Sequence, residues 1–257
     1  MADLEYSVDD RVATIMLNRP RRRNAFTAAV VDAWAEALLT AQADDEVHAI
    51  IVTGADGNFC SGVDLDEFMV DKTPLQQKLF LTGHVHRVAR ALQEVDKPVL
   101  AAVEGSAVGA GMDMALMCDY RIAGRTARFS EGYVRIGLVP GDGGCWLLPR
   151  LVGSSRALRL LWTGEFVDAE AALAAGIVDE VVDDPQKAVR EFAQTLAARP
   201  PHAVRMIKRA VRQGADHDFL TALDLISSHL AVIASTQDAA EAYAAQVEKR
   251  PARFLGR

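Results

Sequence analysis

The residues best placed to do chemistry lie between Lys97 and Asp119. Lys97-Pro98-Val99-Leu100-Ala101-Ala102-Val103 is an apolar, Val-containing run that ends at Glu104-Gly105. Gly109-Ala110-Gly111 then opens a Met- and Ala-rich segment holding one acid, Asp113. This reads as a buried strand, a glycine-lined turn and the start of a buried helix. The first N–H groups of a helix have no partner within it and sit at the positive end of its dipole. Small residues there let a ligand oxygen approach the backbone closely. Asp113, one turn further in among apolar neighbours, has two readings: a proton-transfer group, or an acid that caps backbone N–H groups.

A second loop has the same form. Ala49 to Thr53 reads as another buried strand, and Gly54-Ala55-Asp56-Gly57-Asn58-Phe59-Cys60-Ser61-Gly62-Val63-Asp64-Leu65 follows it. A backbone N–H near Val63 can face the same ligand as one near Ala110. Two such loops after successive strands lie at the strand ends where open α/β folds bind ligands. Asn18-Arg19-Pro20-Arg21-Arg22-Arg23-Asn24 is a basic loop, either a solvated turn or a phosphate contact through arginine. His84 and His86 are two residues apart and do not share a helix face, so no metal site is expected.

Other elements must hold these loops. Tyr6–Val8 and Val12–Leu17 read as a hairpin across Asp9-Asp10-Arg11. Thr27 caps a helix to about Ala43 with Val30, Val31, Trp34, Leu38 and Ala41 on one face. Residues 66–82 lack clean periodicity and read as a variable flap before a helix to about Glu94. Asp119–Ala123 and Ala127–Phe129 read as strands, Cys145–Leu151 and Ser154–Thr163 as helices. Asp168–Ala175 reads as a helix with Gly176 as its C-cap, followed by a strand over Ile177–Val182. From Pro185 the pattern is helical, at about 186–198, 201–213, 217–233 and 236–248. The strand–strand–helix rhythm predicts an α/β fold built as a coiled repeat of ββα units, not a doubly wound sheet.

The 257 residues are half hydrophobic and one quarter charged, with a net charge of −7. That suits an ordinary globular protein and argues against nucleic-acid binding. Cys60, Cys118 and Cys145 are far apart, which fits a reducing cytosol and neither a disulfide scaffold nor a structural zinc. No signal peptide and no membrane-spanning run are visible, so the expected location is cytoplasmic.

These residues together resemble the crotonase superfamily, the enoyl-CoA hydratase/isomerase family. The matching stretches are Leu17-Asn18-Arg19-Pro20 with Asn24-Ala25, Phe59 to Leu65, Lys97 to Gly111 with Met117-Cys118-Asp119, and Ile136-Gly137-Leu138-Val139-Pro140 with Gly143-Gly144. Leu148 to Gly153 and the ending Glu248-Lys249-Arg250-Pro251 with Phe254 complete them. The resemblance implies a crotonase-like ββα spiral core over residues 1–198 for acyl-CoA binding and catalysis. It also implies a C-terminal helical region, 199–257, that builds a homotrimer or hexamer. Apolar residues spread over more than one face of 201–248 support such assembly. By motif, the backbone N–H groups of Val63 and Ala110 form the oxyanion hole for a thioester carbonyl. Asp64 and Leu65 border the adenine of CoA, and Arg21, Arg22 or Arg23 and Lys249, the last from a neighbouring subunit, lie near its phosphates. No separate cofactor and no metal are implied, CoA being part of the substrate.

The departures concern the acids. The first of the two glutamates that hold water in a hydratase of this family falls on Asp113, and the second falls on Tyr133. Tyrosine is not a carboxylate base at neutral pH. An aspartate at the first position is also what the family's dienoyl-CoA isomerases carry. Glu131 enters the site if its segment is extended and stays out if it is helical. Asp142, in Pro140-Gly141-Asp142-Gly143-Gly144, is the other nearby acid or a simple turn residue. The expected function is hydration of a 2-enoyl-CoA, with an enoyl- or dienoyl-CoA isomerase using Asp113, and a non-catalytic acyl-CoA binder, as alternatives. Two rivals fail on spacing: Gly105 to Gly111 is not the dinucleotide fingerprint G-x-G-x-x-G, and no G-x-S-x-G hydrolase elbow is present.

Overall fold

The structure is a computed structural model that describes residues 2–68 and 72–257. It begins with the expected hairpin, β1 (Leu4–Asp9) antiparallel to β2 (Val12–Leu17). The helix α1 (Ala28–Ala43) follows, and the Thr27 side chain accepts from the Val30 N–H at its start. Three turns of a spiral come next. Each turn sends its first strand into a six-stranded sheet and its second toward a smaller sheet.

In the first turn, β3 (Ala49–Gly54) pairs parallel to β2, and Cys60 bridges to Ala107. In the second, β4 (Val99–Val103) leads to β5 (Ser106–Val108) and α5 (Ala110–Leu116). In the third, β6 (Tyr120–Gly124) leads to β7 (Arg128–Ser130) and then to the helices α6 (Gly144–Val152) and α7 (Ser154–Thr163). Next come β8 (Val167–Asp168), α8 (Ala169–Ala175) and β9 (Glu180–Val182). The large sheet has the order β1-β2-β3-β4-β6-β9, and the small sheet β5-β7-β8. The ββα reading therefore holds.

Side chains alternate across the large sheet. Ile50 and Val52 of β3 join the main core with Trp34 and Leu38 of α1, Leu92 and Met112. Ala49 and Ile51 face the other way, onto Val189, Ala193 and Ala197 of α9 (Pro185–Ala197). The buried runs at Ala49–Gly54 and Val99–Val103 are continuous because both faces are covered.

Two expectations are corrected. Much of the 66–82 flap is helical: α2 (Leu65–Phe68) and α3 (Pro74–Phe80) flank Met69, Val70 and Asp71, which lie outside the described residues. A Thr73/Gln76 capping box starts α3, and a π turn at Leu81–Val85 joins it to α4 (His86–Glu94). The strand expected from Ile177 begins only at Glu180. The Ile177 N–H instead bonds back to the Ala172 carbonyl, closing the end of α8 around left-handed Gly176.

The C-terminal helices are α10 (Pro201–Gly214), α11 (Phe219–Ala234) and α12 (Gln237–Glu248). Ion pairs tie α10 to the core: Arg205 with Asp96 at 2.6 Å and Arg212 with Asp119 at 3.1 Å. Lys208 also donates to the Lys97 carbonyl. By contrast α11 exposes a large apolar surface, with Phe219 74% and Leu220 75% exposed and Leu223 and Leu230 beside them. Among the described residues no single helix is long and apolar enough to cross a membrane.

Candidate active site

The two loops that precede the site meet through glycine. Gly62 has φ +94° and Gly109 φ +52°, both in the region that side chains disfavour. A Cβ on Gly62 would stand 2.8 Å from the Val108 carbonyl oxygen and 3.5 Å from the Ala110 nitrogen. A Cβ on Gly111 would stand 2.8 Å from the Cys60 carbonyl carbon. Only glycine lets these backbones approach. Val63 then lies beside Phe26 in a parallel bridge, with the Phe26 N–H donating to the Gly62 carbonyl. Among the described residues the N–H groups of Val63 and Ala110 have no main-chain acceptor. Ala110 opens α5, so its donor also has the helix dipole behind it.

Asp113 sits on the first turn of α5, fully buried. It does not cap backbone. Its Oδ2 accepts from the Tyr133 hydroxyl at 2.6 Å and its Oδ1 has no partner. Tyr133 comes from a 3-10 helix at Gly132–Ile136 and also contacts Asp142 Oδ2 at 2.9 Å. Glu131 precedes that helix, 1% exposed, with both carboxyl oxygens unpartnered. The expectation that a helical segment would keep Glu131 out is therefore corrected. The helix begins one residue later, and the backbone of Glu131 itself (φ −80°, ψ 56°) turns the acid inward. Asp142, read above as a possible turn residue, is buried as well. All four side chains named from the sequence converge.

Burial sets their acidities. Asp113 is pushed up to about 7, mainly by desolvation, with the Tyr133 hydrogen bond opposing it. Glu131 is pushed up to about 10 by desolvation and then by the Asp113 charge. Asp142 is raised by desolvation, against the Tyr133 hydrogen bond and nearby His86. Tyr133 is raised well above 10 by desolvation and then by Asp113. Together they can hold protons at neutral pH as well as accept them.

Two residues escaped the sequence reading of this site. His86, weighed only as a metal ligand, donates Nε2–H to the Gly141 carbonyl at 2.7 Å and so holds the loop that carries Asp142. His84 instead pairs with Asp32 at 2.8 Å, so the two histidines diverge. The second is Gly144, whose backbone lies against the carboxyls. A Cβ there would stand 2.9 Å from Glu131 Oε2 and closer still to Asp113 Oδ1. Its place after a Pro-Gly-Asp-Gly turn was the available signal. Beside the acids opens a cavity of about 620 Å³ whose wall includes His86, Ala89, Met117, Asp142, Trp146 and Leu147. Among the described residues no cluster of histidine, cysteine and acidic side chains could hold a metal.

The basic loop is drawn to the first glycine loop by Ser61. Its N–H donates to the Arg23 carbonyl and its hydroxyl to the Arg22 carbonyl. Arg22 pairs with Asp66 at 2.6 Å, whereas buried Asp64 pairs with Arg19 at 2.9 Å. Arg21, Arg22, Arg23 and Leu65 are exposed. Arg21 and Arg22 line a second cavity, of about 470 Å³, with Asp3, Asn18, Arg19 and Pro20. Lys249 stands apart, exposed at the C-terminal end of α12.

Two free backbone donors beside a buried acid, on a ββα spiral, can hold a carbonyl oxygen and move a proton next to it. The chain belongs to the enoyl-CoA hydratase/isomerase family, whose model matches residues 7–257. It is 35% identical over 254 residues to 1,2-epoxyphenylacetyl-CoA isomerase of Escherichia coli, with 97% of each chain covered. It is 35% identical over 245 residues to a short-chain-enoyl-CoA hydratase of Clostridium acetobutylicum, covering 94% of this chain and 93% of that one. The crystal structure of enoyl-CoA hydratase from Bacillus anthracis superposes with a TM-score of 0.93 at 29% identity, with both chains fully covered.

Proposed function

We propose that this enzyme adds water across the double bond of a 2-enoyl-CoA, with Asp113 as the principal proton-transfer group. The observation that carries this is the placement of a fully buried carboxylate one helical turn past a free N–H, with a second free N–H on the adjoining loop. The thioester oxygen accepts from Val63 and Ala110. Water adds at the β carbon as a carboxylate takes one of its protons, the charge moves onto the thioester oxygen as an enolate, and a carboxyl delivers a proton to the α carbon. Asp142 or Glu131 supplies the second carboxyl, and Tyr133 hydrogen-bonds within the site.

A second reading, a double-bond isomerase, is favoured by one contact. The Tyr133 hydroxyl touches both Asp113 and Asp142 and so fills the space between two carboxyls where a hydratase keeps its water. Moving a proton between carbons needs no such water.

CoA is placed on this reading with its phosphates near Arg21, Arg22 or Arg23 and its adenine beside Asp64 and Leu65. Lys249 arrives from a neighbouring subunit. Residues 199–257 form the oligomerisation region of a trimer or hexamer in the cytoplasm. The exposed apolar face of α11 supports this.

The test is Asp113→Asn, assayed on the best substrate from a panel of short, medium, branched and aromatic 2-enoyl- and 3-enoyl-CoAs. The expected result is a fall in kcat of at least about 100-fold with acyl-CoA still bound. Near-normal turnover would show that the carboxylate that matters lies elsewhere.

A further inference from the structure

The contacts around Tyr133 contain more acceptors than its hydroxyl can serve. That group has one hydrogen, yet carboxyl oxygens of two aspartates lie within hydrogen-bond distance of it. A carboxylic acid at one aspartate, donating to the tyrosine oxygen, satisfies both contacts. The distances say which. The 2.6 Å contact to Asp113 has the length of a hydroxyl donating to a carboxylate. The 2.9 Å contact to Asp142 has the length of a neutral pair. No lysine or arginine among the described residues pairs with any of the acids, and His86 lies near Asp142.

We infer that Asp142 is a second catalytic residue, held as a carboxylic acid in the wall of the apolar cavity and reloaded from Asp113 through the Tyr133 hydroxyl. The inference rests on the isomerase reading above. With a 3-enoyl-CoA the Asp113 carboxylate takes a proton from C2, and that C–H pair becomes the enolate π bond. Asp142 gives its proton to C4. The C3=C4 pair forms the new C4–H bond while the enolate collapses to C2=C3 and C1=O. Asp113 is then an acid and Asp142 a carboxylate. Asp113 passes its proton to the tyrosine oxygen as the tyrosine proton moves to Asp142, which restores the start. Nothing is oxidised or reduced, and no proton is drawn from water. Asp142 lines this cavity and Asp113 does not, so a chain that enters the cavity brings its distal carbon, C4, toward Asp142.

Two reactions separate the steps. Isomerisation of 3-hexenoyl-CoA, followed by the absorbance of the conjugated thioester, needs both acids. Exchange of the α-proton of hexanoyl-CoA in D₂O, followed by mass, needs the Asp113 carboxylate, the oxyanion donors and exchange of the Asp113 proton with solvent between turnovers, but no proton from Asp142. Asp142→Asn keeps a donor toward the tyrosine oxygen but has no proton to transfer. It is expected to slow isomerisation about 100-fold more than it slows exchange, the scale of a general acid. Asp113→Asn is expected to slow both together. Tyr133→Phe is expected to give one fast turnover per site and then a slow phase. Equal losses in both reactions for Asp142→Asn would make its role structural and overturn the relay. Wild-type enzyme that exchanges the α-proton but does not isomerise would also overturn it, with enolate formation left standing. Wild-type enzyme that does neither would instead overturn the reading of the whole site.

Discussion

The backbone of Gly144 packs directly on the carboxyl of Glu131, so closely that a Cβ would stand 2.9 and 3.0 Å from its two oxygens. The first residue of α6 thereby closes the acid cluster from behind. Gly144→Ala is expected to push Glu131 and Asp113 out of place. An error of about 1 Å in a reacting group costs on the order of 100-fold in rate. Turnover should fall by that order while far-UV circular dichroism stays native, and unchanged kcat would show that the carboxyl positions are not critical.

The acidity of Asp113 sets the pH profile. Only its carboxylate can take a proton, and burial raises its pKa to about 7. The rate constant kcat/KM should therefore climb about tenfold per pH unit below that value, stop climbing above it, and fall again once Asp142 loses its proton. A profile already flat at pH 5 would mean that the base titrates as an ordinary exposed carboxyl.

Glu131 couples pH to stability in a defined direction. Its folded pKa is raised from 4.5 to about 10, so the folded chain binds that proton more tightly than the unfolded chain. This stabilisation is fully present below about 4.5 and is lost as pH rises through about 10, at about 1.4 kcal/mol per pH unit for one proton. Glu131→Gln keeps the shape and removes the titration. Its unfolding midpoint relative to wild type should rise steadily between pH 5 and pH 9. A difference that does not change with pH would rule the coupling out.

Arg19 and Asp64 pair at 2.9 Å, and the side chain of Asp64 is only 8% exposed. Removing one partner leaves a buried charge, which costs about 3–5 kcal/mol where burial is complete. Arg19 is itself partly exposed, so Arg19→Ala is expected to cost about 2 kcal/mol, below that range. Chemical denaturation measures this; a loss below the usual surface-pair value of about 1 kcal/mol would mean solvent replaces the arginine.

Assembly is tested by analytical ultracentrifugation at micromolar protein. A trimer or hexamer is expected, and Leu220→Glu with Leu230→Glu on the exposed face of α11 should shift it toward monomer. A wild-type protein that sediments only as monomer would remove the proposed role of 199–257.

Some of this was decided by local sequence. The glycines at 62, 109 and 111 and the apolar strands before them were legible because backbone freedom and unbroken apolar runs leave short-range signatures. So were the hairpin, the Thr27 cap and the strand–strand–helix rhythm. Asp113 was legible as a buried acid because its neighbours on both sides are apolar. What the acids do to one another was not legible. Glu131, Tyr133 and Asp142 come from a turn, a 3-10 helix and a loop, elements that carry no periodic signal. Their convergence on Asp113 depends on one backbone torsion at Glu131, on a histidine from α4 that holds Gly141, and on Gly144 leaving room. Shared protons are a property of distances between oxygens, and those distances exist only once the spiral has closed. Spacing along the chain named the groups; tertiary packing alone set which of them touch, and therefore which can hold a proton.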